Sequence, residues 1–193
     1  MRRAVADSVP CALTEHLEVA RRIEELLPQV DEVARRVIAA YSQGGRVFAF
    51  GNGGSAADAQ HLAAELVGRY KRDRRSLPAV ALTVDPSVVT AIGNDYSFDD
   101  LFARQVEGLV RAGDVVFGFS TTGRSTNVVR GLAAARAAGA TTILFSGGDG
   151  DVDADHALVV PSSTTARVQE MHLLLMHLLL DEIDEWAAGD AGR

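Results

Sequence analysis

A histidine and a glutamate four residues apart, His61 and Glu65, fall one turn apart on the same side of any helix that carries them. An imidazole and a carboxylate at that spacing can share a metal or a proton, or can be a plain solvated pair. The neighbours Ala57, Leu62, Ala64 and Leu66 predict a helix largely packed in, which speaks against a purely solvated pair. A second kind of chemistry sits in Ser120, Thr121, Thr122 and Ser125, four hydroxyls within six residues, with Gly123 letting the backbone approach a ligand and a helix predicted to open at Ser125. Hydroxyls, free amides and the positive end of a helix dipole together hold an anion, and a phosphate suits that cup. Capping the helix would need only one of the hydroxyls.

A companion loop, Gly51-Asn52-Gly53-Gly54-Ser55, follows an apolar run. Gly51-x-Gly53-x-x-Ala56 formally fits a degenerate dinucleotide fingerprint, and Asp85 ends the next apolar run where a ribose-binding acid could stand. Against that reading, Asp85 lies 34 residues after Gly51 instead of about 20, and no room is left for a substrate domain. No Gly-Lys-Ser/Thr follows either loop, so nucleotide hydrolysis has little support.

Near the end of the chain, Met171, Leu173, Leu174, Leu175, Met176, Leu178, Leu179 and Leu180 make a helix apolar on nearly every side, which predicts burial all round. Gln169, His172 and His177 are set in it, and buried polar groups need partners; a backbone carbonyl is the usual one for a single core histidine.

The elements that must position these residues follow from periodicity. Val19, Ile23, Leu26, Val30, Val33 and Val37 form one stripe of a long helix over residues 14 to 42, which Pro28 should kink or interrupt. That helix either packs on its own core or forms a seam between subunits. From Arg46, short apolar runs alternate with helical stretches, the pattern of parallel βαβ units. Strands are predicted at 46–50, 79–84, 114–119, 141–145 and 156–160, and helices at 55–69, 87–93, 99–112, 125–138 and 164–187. The expected fold is α/β: a three-layer, doubly wound, five-stranded parallel sheet with a long N-terminal helix, one domain over 1–193, with a helical segment to 45 and a core over 46–187. Ligands of such sheets bind beyond the carboxyl ends of the strands, where both polar loops fall.

Composition narrows the function. Of 193 residues, 19 are Lys or Arg and 26 Asp or Glu, a formal charge of -7 that offers no broad positive field for nucleic acid or anionic lipid. No window approaches 18 uninterrupted apolar residues, and a single cysteine, Cys11, makes no internal disulfide; the expectation is a cytoplasmic protein, neither secreted nor membrane-spanning.

Taken in order, GNGGSAADAQHLAAELVGRY, AIGNDYSFDDLF, STTGRSTNV and TARVQEMHLLLMH resemble the sugar isomerase (SIS) domain family in its phosphoheptose isomerase branch, over about residues 14 to 186. The resemblance implies a five-stranded flavodoxin-like sheet, a homotetramer with sites at subunit interfaces, and interconversion of sedoheptulose 7-phosphate and D-glycero-D-manno-heptose 7-phosphate. It implies one zinc per subunit at His61, Glu65, Gln169 and His177, with Glu65 and His177 as the proton-transfer pair. Asn52, Gly53, Gly54, Ser55, Glu65, Asn94, Asp95 and Gln169 match substrate-contacting positions, and Ser120, Thr121, Thr122 and Ser125 the phosphate loop. Asn94 and Asp95 also read independently as hydrogen-bonders for sugar hydroxyls, on a loop after a short helix. Arg69 matches a recurring position with no role legible in the sequence.

Gln169 and His177 are eight residues apart, about 12 Å and roughly 80° on a straight helix, so two such residues serving one metal come from different chains or from a distorted helix start. The chain also departs from enteric-type members. Ala166 stands where they carry an aspartate, removing one sugar-hydroxyl contact, and Thr122 and Arg124 replace a serine and an asparagine. Two non-enzymatic readings compete: a SIS protein that binds the replication initiator DnaA, which lacks the full metal and acid-base set, and a sugar-phosphate sensor, which normally brings a helix-turn-helix segment.

Overall fold

The computed structural model describes residues 5–148 and 153–190, so the expected domain ends at 1 and 193 lie outside the described residues. The chain opens with α1 (Val5–Arg22), a 3-10 turn at Ile23–Leu26 and α2 (Leu27–Ser42). The single helix expected over 14–42 is therefore two, and the break falls just before Pro28. Pro28 sits in the first turn of α2, where a missing backbone donor has no intrahelical partner to lose.

The core follows as β1 (Val47–Gly51), α3 (Gly54–Val67), β2 (Ala79–Ala81), α4 (Pro86–Asp95), α5 (Leu101–Leu109), β3 (Val115–Ser120), α6 (Thr126–Ala137), β4 (Thr141–Gly147), β5 (His156–Val160) and α7 (Thr165–Asp190). The strands form one parallel sheet in the order β2-β1-β3-β4-β5. Every residue of β1 and β3 is buried, as their continuous apolar runs require of strands covered on both faces. Along β1, Val47 and Ala49 face a core shared with Val33, Leu62 and Leu175, whereas Phe48 and Phe50 face a second core with Phe102, Val106 and Leu132. The layers are thus α1, α2, α3 and α7 on one face and α4, α5 and α6 on the other.

Two expected elements are shorter than the sequence indicated. The strand read over 79–84 ends at Ala81, because Asp85 caps α4 by accepting from the Ser87 and Val88 amides, with Pro86 in the first turn, and residues 82–84 must turn to reach that cap. The helix read over 99–112 begins as a 3-10 turn at Phe98–Asp100 and ends at Leu109, since Val110 is extended.

Candidate functional site

From β1 the sheet grows to β2 on one side and to β3 on the other, so the loops after β1 and β3 part over a crevice at the switch point. The two polar loops singled out in the sequence are these two. In the first, Gly54 opens α3, and a Cβ there would lie 2.4 Å from the Gln169 Nε2 atom: glycine is required because the Gln169 amide of α7 packs directly on the loop. Ser55 is buried and its amide donates to the Asn52 carbonyl at 3.0 Å. Across the crevice, Asn52 Nδ2 donates to Asn127 Oδ1 at 2.8 Å and Asn127 Nδ2 donates to Asn52 Oδ1 at 2.9 Å. This reciprocal amide pair ties the loop after β1 to the first turn of α6.

In the second loop, Ser120 ends β3 with its hydroxyl buried, and its Oγ shares a hydrogen bond with Ser125 Oγ at 3.0 Å. Gly123 takes φ +67°, a left-handed turn that reverses the chain between the two serines. Ser125 occupies the N-cap of α6, yet its side chain makes no cap hydrogen bond to that helix. The Ser125 hydroxyl is therefore not spent on the amides of the first turn. Thr122 Oγ1 accepts from the Arg124 amide at 3.2 Å, and Arg124 itself is exposed. An oxyanion is the ligand these donors suit.

The acid-base cluster forms where α3 runs alongside α7. His61 Nε2 and Glu65 Oε1 are 3.2 Å apart, a hydrogen bond in the tautomer protonated at Nε2. The side chains keep 37% and 24% of their exposure, so the pair is neither buried nor freely solvated. The packing expected around it is confined to one face: Leu62 and Leu66 are buried, but Ala57 and Ala64 are exposed. His177 of α7 meets the His61 ring edge-on, with centroids 5.2 Å apart at 81°. Burial, with the neighbouring His61 and Lys71, holds the His177 imidazole below its ordinary range, opposed by Glu65. One turn before His61, burial pushes the Asp58 carboxyl up to about 6, against the pull of His61, and its Oδ2 has no hydrogen-bond partner.

Three expectations need correction or division. The closing helix is not buried all round, because Leu173 and Leu174 stand 36% exposed on the side away from Met171, Leu175 and Leu179. Asn94 and Asp95 do not lie on a loop: they form the last turn of α4, with Asn94 Nδ2 donating to Asp95 Oδ1 at 2.7 Å. Within one chain Asp95 lines a cavity of about 580 Å³ with Tyr96 and Arg104, whereas Asn52 and Gly53 line another of about 160 Å³, so the two sets are not brought together.

Gln169 and His177 likewise stay apart. Gln169 meets Gly54 at the start of α3 and His177 meets His61 two turns on, and α7 runs unbroken between them. Among the described residues no three His, Cys, Asp or Glu side chains are gathered as a metal ion requires. The donor types suit zinc, but the four side chains of one chain do not fit around one ion. The remaining residues are accounted for singly. His172 is fully buried with Nε2 3.2 Å from the Ser146 carbonyl, the core role expected of a lone histidine. Asp85 is spent on the α4 cap, which removes the acid that a dinucleotide site would need. Ala166 is exposed in the first turn of α7, and Arg69 is exposed with Nη1 donating to the Lys71 carbonyl at 3.4 Å.

Asn127, Asp58 and Tyr70 were missed by sequence reasoning. Asn127 had a signal, a polar residue in the first turn of a helix that opens on a hydroxyl loop. Asp58 also stands one turn before His61 on the same helix face. Tyr70 had none, since its ring contact is with a residue more than a hundred positions away.

The chain is similar to known proteins over most of its length. Residues 13–147 match the SIS domain family model. Phosphoheptose isomerase of Aquifex aeolicus is 51% identical over 166 residues, covering 84% of this chain and 87% of that protein. Phosphoheptose isomerase of Nitratiruptor sp. is 51% identical over 178 residues, covering 90% and 95%. The structure of phosphoheptose isomerase from Neisseria gonorrhoeae superposes with a TM-score of 0.88 at 41% identity, covering 94% of this chain and all of that one.

Proposed function

This chain belongs to the SIS domain family, in its phosphoheptose isomerase branch, and we propose that it interconverts sedoheptulose 7-phosphate and D-glycero-D-manno-heptose 7-phosphate through an enediol. The observation that carries this reading is the meeting of His61, Glu65 and His177 where α3 and α7 run side by side. The helix that carries His61 and Glu65 opens at the same crevice as the hydroxyl cup.

Aldose-ketose isomerisation moves a proton between adjacent carbons, so it needs a base, an acid and a stabiliser of negative oxygen. Glu65 takes the carbon-bound proton. His177, kept toward its neutral form by burial and nearby positive charge, moves the oxygen-bound one. Ser120, Thr121, Thr122, Ser125 and the α6 amides hold the phosphate, while Asn52, Gly53, Gly54, Ser55 and Gln169 orient the sugar. Each acid-base group contributes about 10²- to 10⁴-fold. A metal-bound carboxylate is a weaker base, so Glu65 takes the proton when it is free of a metal.

Zinc, one ion per subunit, bound by His61, Glu65, Gln169 and His177 of the assembled oligomer, would supply Lewis-acid stabilisation of the oxyanion. The separation of Gln169 from His177 within one chain supports a centre shared between chains. A homotetramer agrees with the exposed stripe Val9, Leu13 and Leu17 on α1, with exposed Leu173 and Leu174 on α7, and with Asp95 lying away from Asn52 in a single chain. A cytoplasmic setting agrees with the exposed free thiol of Cys11. No described helix is long and apolar enough to cross a membrane. The initiator-binding and sensor alternatives have no observation of their own in this site.

Incubating the purified protein with sedoheptulose 7-phosphate, with and without a chelator, and following aldose formation tests this. Turnover lost on chelation and restored by zinc is expected. A folded oligomer that forms no aldose overturns the isomerase reading, and turnover indifferent to chelation removes the zinc. Sedimentation reads the oligomer directly, with four chains expected.

A further inference from the structure

Between α3 and β2 the chain runs as a strap along one side of α7. His177, Asp181 and Asp184 stand at i, i+4 and i+7, a single stripe of that helix, and the strap meets each in turn. The Tyr70 ring lies nearly parallel to the His177 imidazole, with centroids 5.4 Å apart and 21° between the planes. Lys71 Nζ and Arg72 Nη1 donate to the Asp181 carboxylate at 3.0 and 2.8 Å. The Lys71 and Arg72 amides donate to Asp184 Oδ2 at 3.1 and 2.7 Å, and Arg74 Nε donates to Asp184 Oδ1 at 2.8 Å.

The Arg74 guanidinium reaches further. Its Nη2 and Nη1 donate to the carbonyls of Glu65 and Leu66 at 2.7 and 2.9 Å, in the last turn of α3. One buried cation thus joins the helix that carries Glu65 to the helix that carries His177, with both partners of the Arg74–Asp184 pair only 1% exposed. Among the described residues the His177 ring makes no hydrogen bond, and two rings flank it, His61 at its edge and Tyr70 over its face. An imidazole that transfers a proton must present one nitrogen in a fixed direction, and misplacement by about 1 Å can lower a rate 10²-fold.

We propose that Tyr70 is the positioning residue for His177, and that the buried Arg74–Asp184 pair sets the spacing between that ring and Glu65 by fixing the strap that carries Tyr70. The proposal rests on the acid-base role assigned to His177. Tyr70→Phe, which keeps the ring, and Tyr70→Leu, which removes it, are compared on two readouts. The first is the split between kcat and KM for sedoheptulose 7-phosphate. Tyr70→Leu is expected to lose roughly 10- to 100-fold in kcat with KM within about 2-fold, and Tyr70→Phe to stay near the parent protein.

The second readout is the set of nuclear Overhauser contacts between the His61 and His177 rings in protein labelled at histidine, which do not depend on the Tyr70 ring itself. They are expected in the parent and in Tyr70→Phe and are lost in Tyr70→Leu, where the His177 ring is free to turn. Unchanged His61–His177 contacts in a folded Tyr70→Leu protein overturn the proposal, as does a kcat that survives their loss. If the parent protein forms no aldose, the catalytic reading fails separately, and the ring contacts still decide whether Tyr70 orients His177.

Discussion

The proposed anion cup and the proposed acid-base cluster of this protein are built in opposite ways. The cup is drawn from one stretch, Ser120 to Asn127, whose hydroxyls bond to one another and whose backbone supplies the donors. The cluster draws on α3, the strap and α7, and its geometry is held by the Arg74–Asp184 pair, whose partners are 110 residues apart in the chain. A site for charge can be local because every residue brings an amide. A site for proton transfer needs particular side chains at particular distances, and here only long-range packing provides them.

Substitutions should separate the two halves, and the largest effect is expected at the base. Glu65→Gln removes the proton acceptor while keeping the shape, so kcat should fall by about 10²- to 10⁴-fold with little change in KM. A rise in KM without loss of kcat would reverse the assignment of the two regions. Next comes the clamp. Asp184→Ala strands the Arg74 guanidinium in a buried site and should lower unfolding free energy by about 3–5 kcal/mol, read by urea titration. The double change Arg74→Met with Asp184→Leu should recover little of that loss, because the Lys71 and Arg72 amides and the Glu65 carbonyl lose their side-chain partners as well.

Burial works to raise the Asp184 carboxyl, but the Arg72 amide, the Arg74 guanidinium and the Lys71 amide outweigh it and hold it below the usual range. The clamp's contribution is therefore complete above the ordinary carboxylate value and is lost as pH falls through the lowered one.

A third test lies on the core side of the same helix. Burial lowers His172 from 6.5 to about 4, against the Ser146 carbonyl that favours its protonated form. Between those values the unfolded chain binds a proton that the folded chain does not. Stability is whole above pH 6.5 and should decline by about 3 kcal/mol as pH drops to 4. Melting His172→Gln over that range should show a flatter profile.

The smallest effect belongs to the cup. Ser125→Ala removes one hydroxyl among several donors, at about 1 kcal/mol, so KM should rise roughly 5-fold with kcat retained, and inhibition by inorganic phosphate should weaken in step.

The same contrast governs what could be read from residues in order. The parallel sheet, its buried strands and the hydroxyl loop were legible because their signals lie within a few positions of one another. Where local signals competed, boundaries slipped: the apolar run 79–84 reads as a strand until the Asp85-Pro86 cap is given priority, and Leu173 and Leu174 read as core because a run of leucines conceals which face it buries. His61 and Glu65 were legible as a pair by their spacing, but their meeting with His177 was not. Lys71 to Arg75 look like an ordinary solvated run of charge, and nothing local says that Arg74 is buried against Asp184. Asn127 was within reach, being adjacent to a loop already under suspicion.

The early end of β2 has a consequence of its own. β2 is an outermost strand, and a full Ala79–Val84 ribbon there would display an uncapped apolar ladder on which an unfolded neighbour could template. Three residues followed by a turn into α4 leave too few rungs for such growth. The cap at Asp85 thereby guards the protein against edge-to-edge aggregation as well as starting a helix.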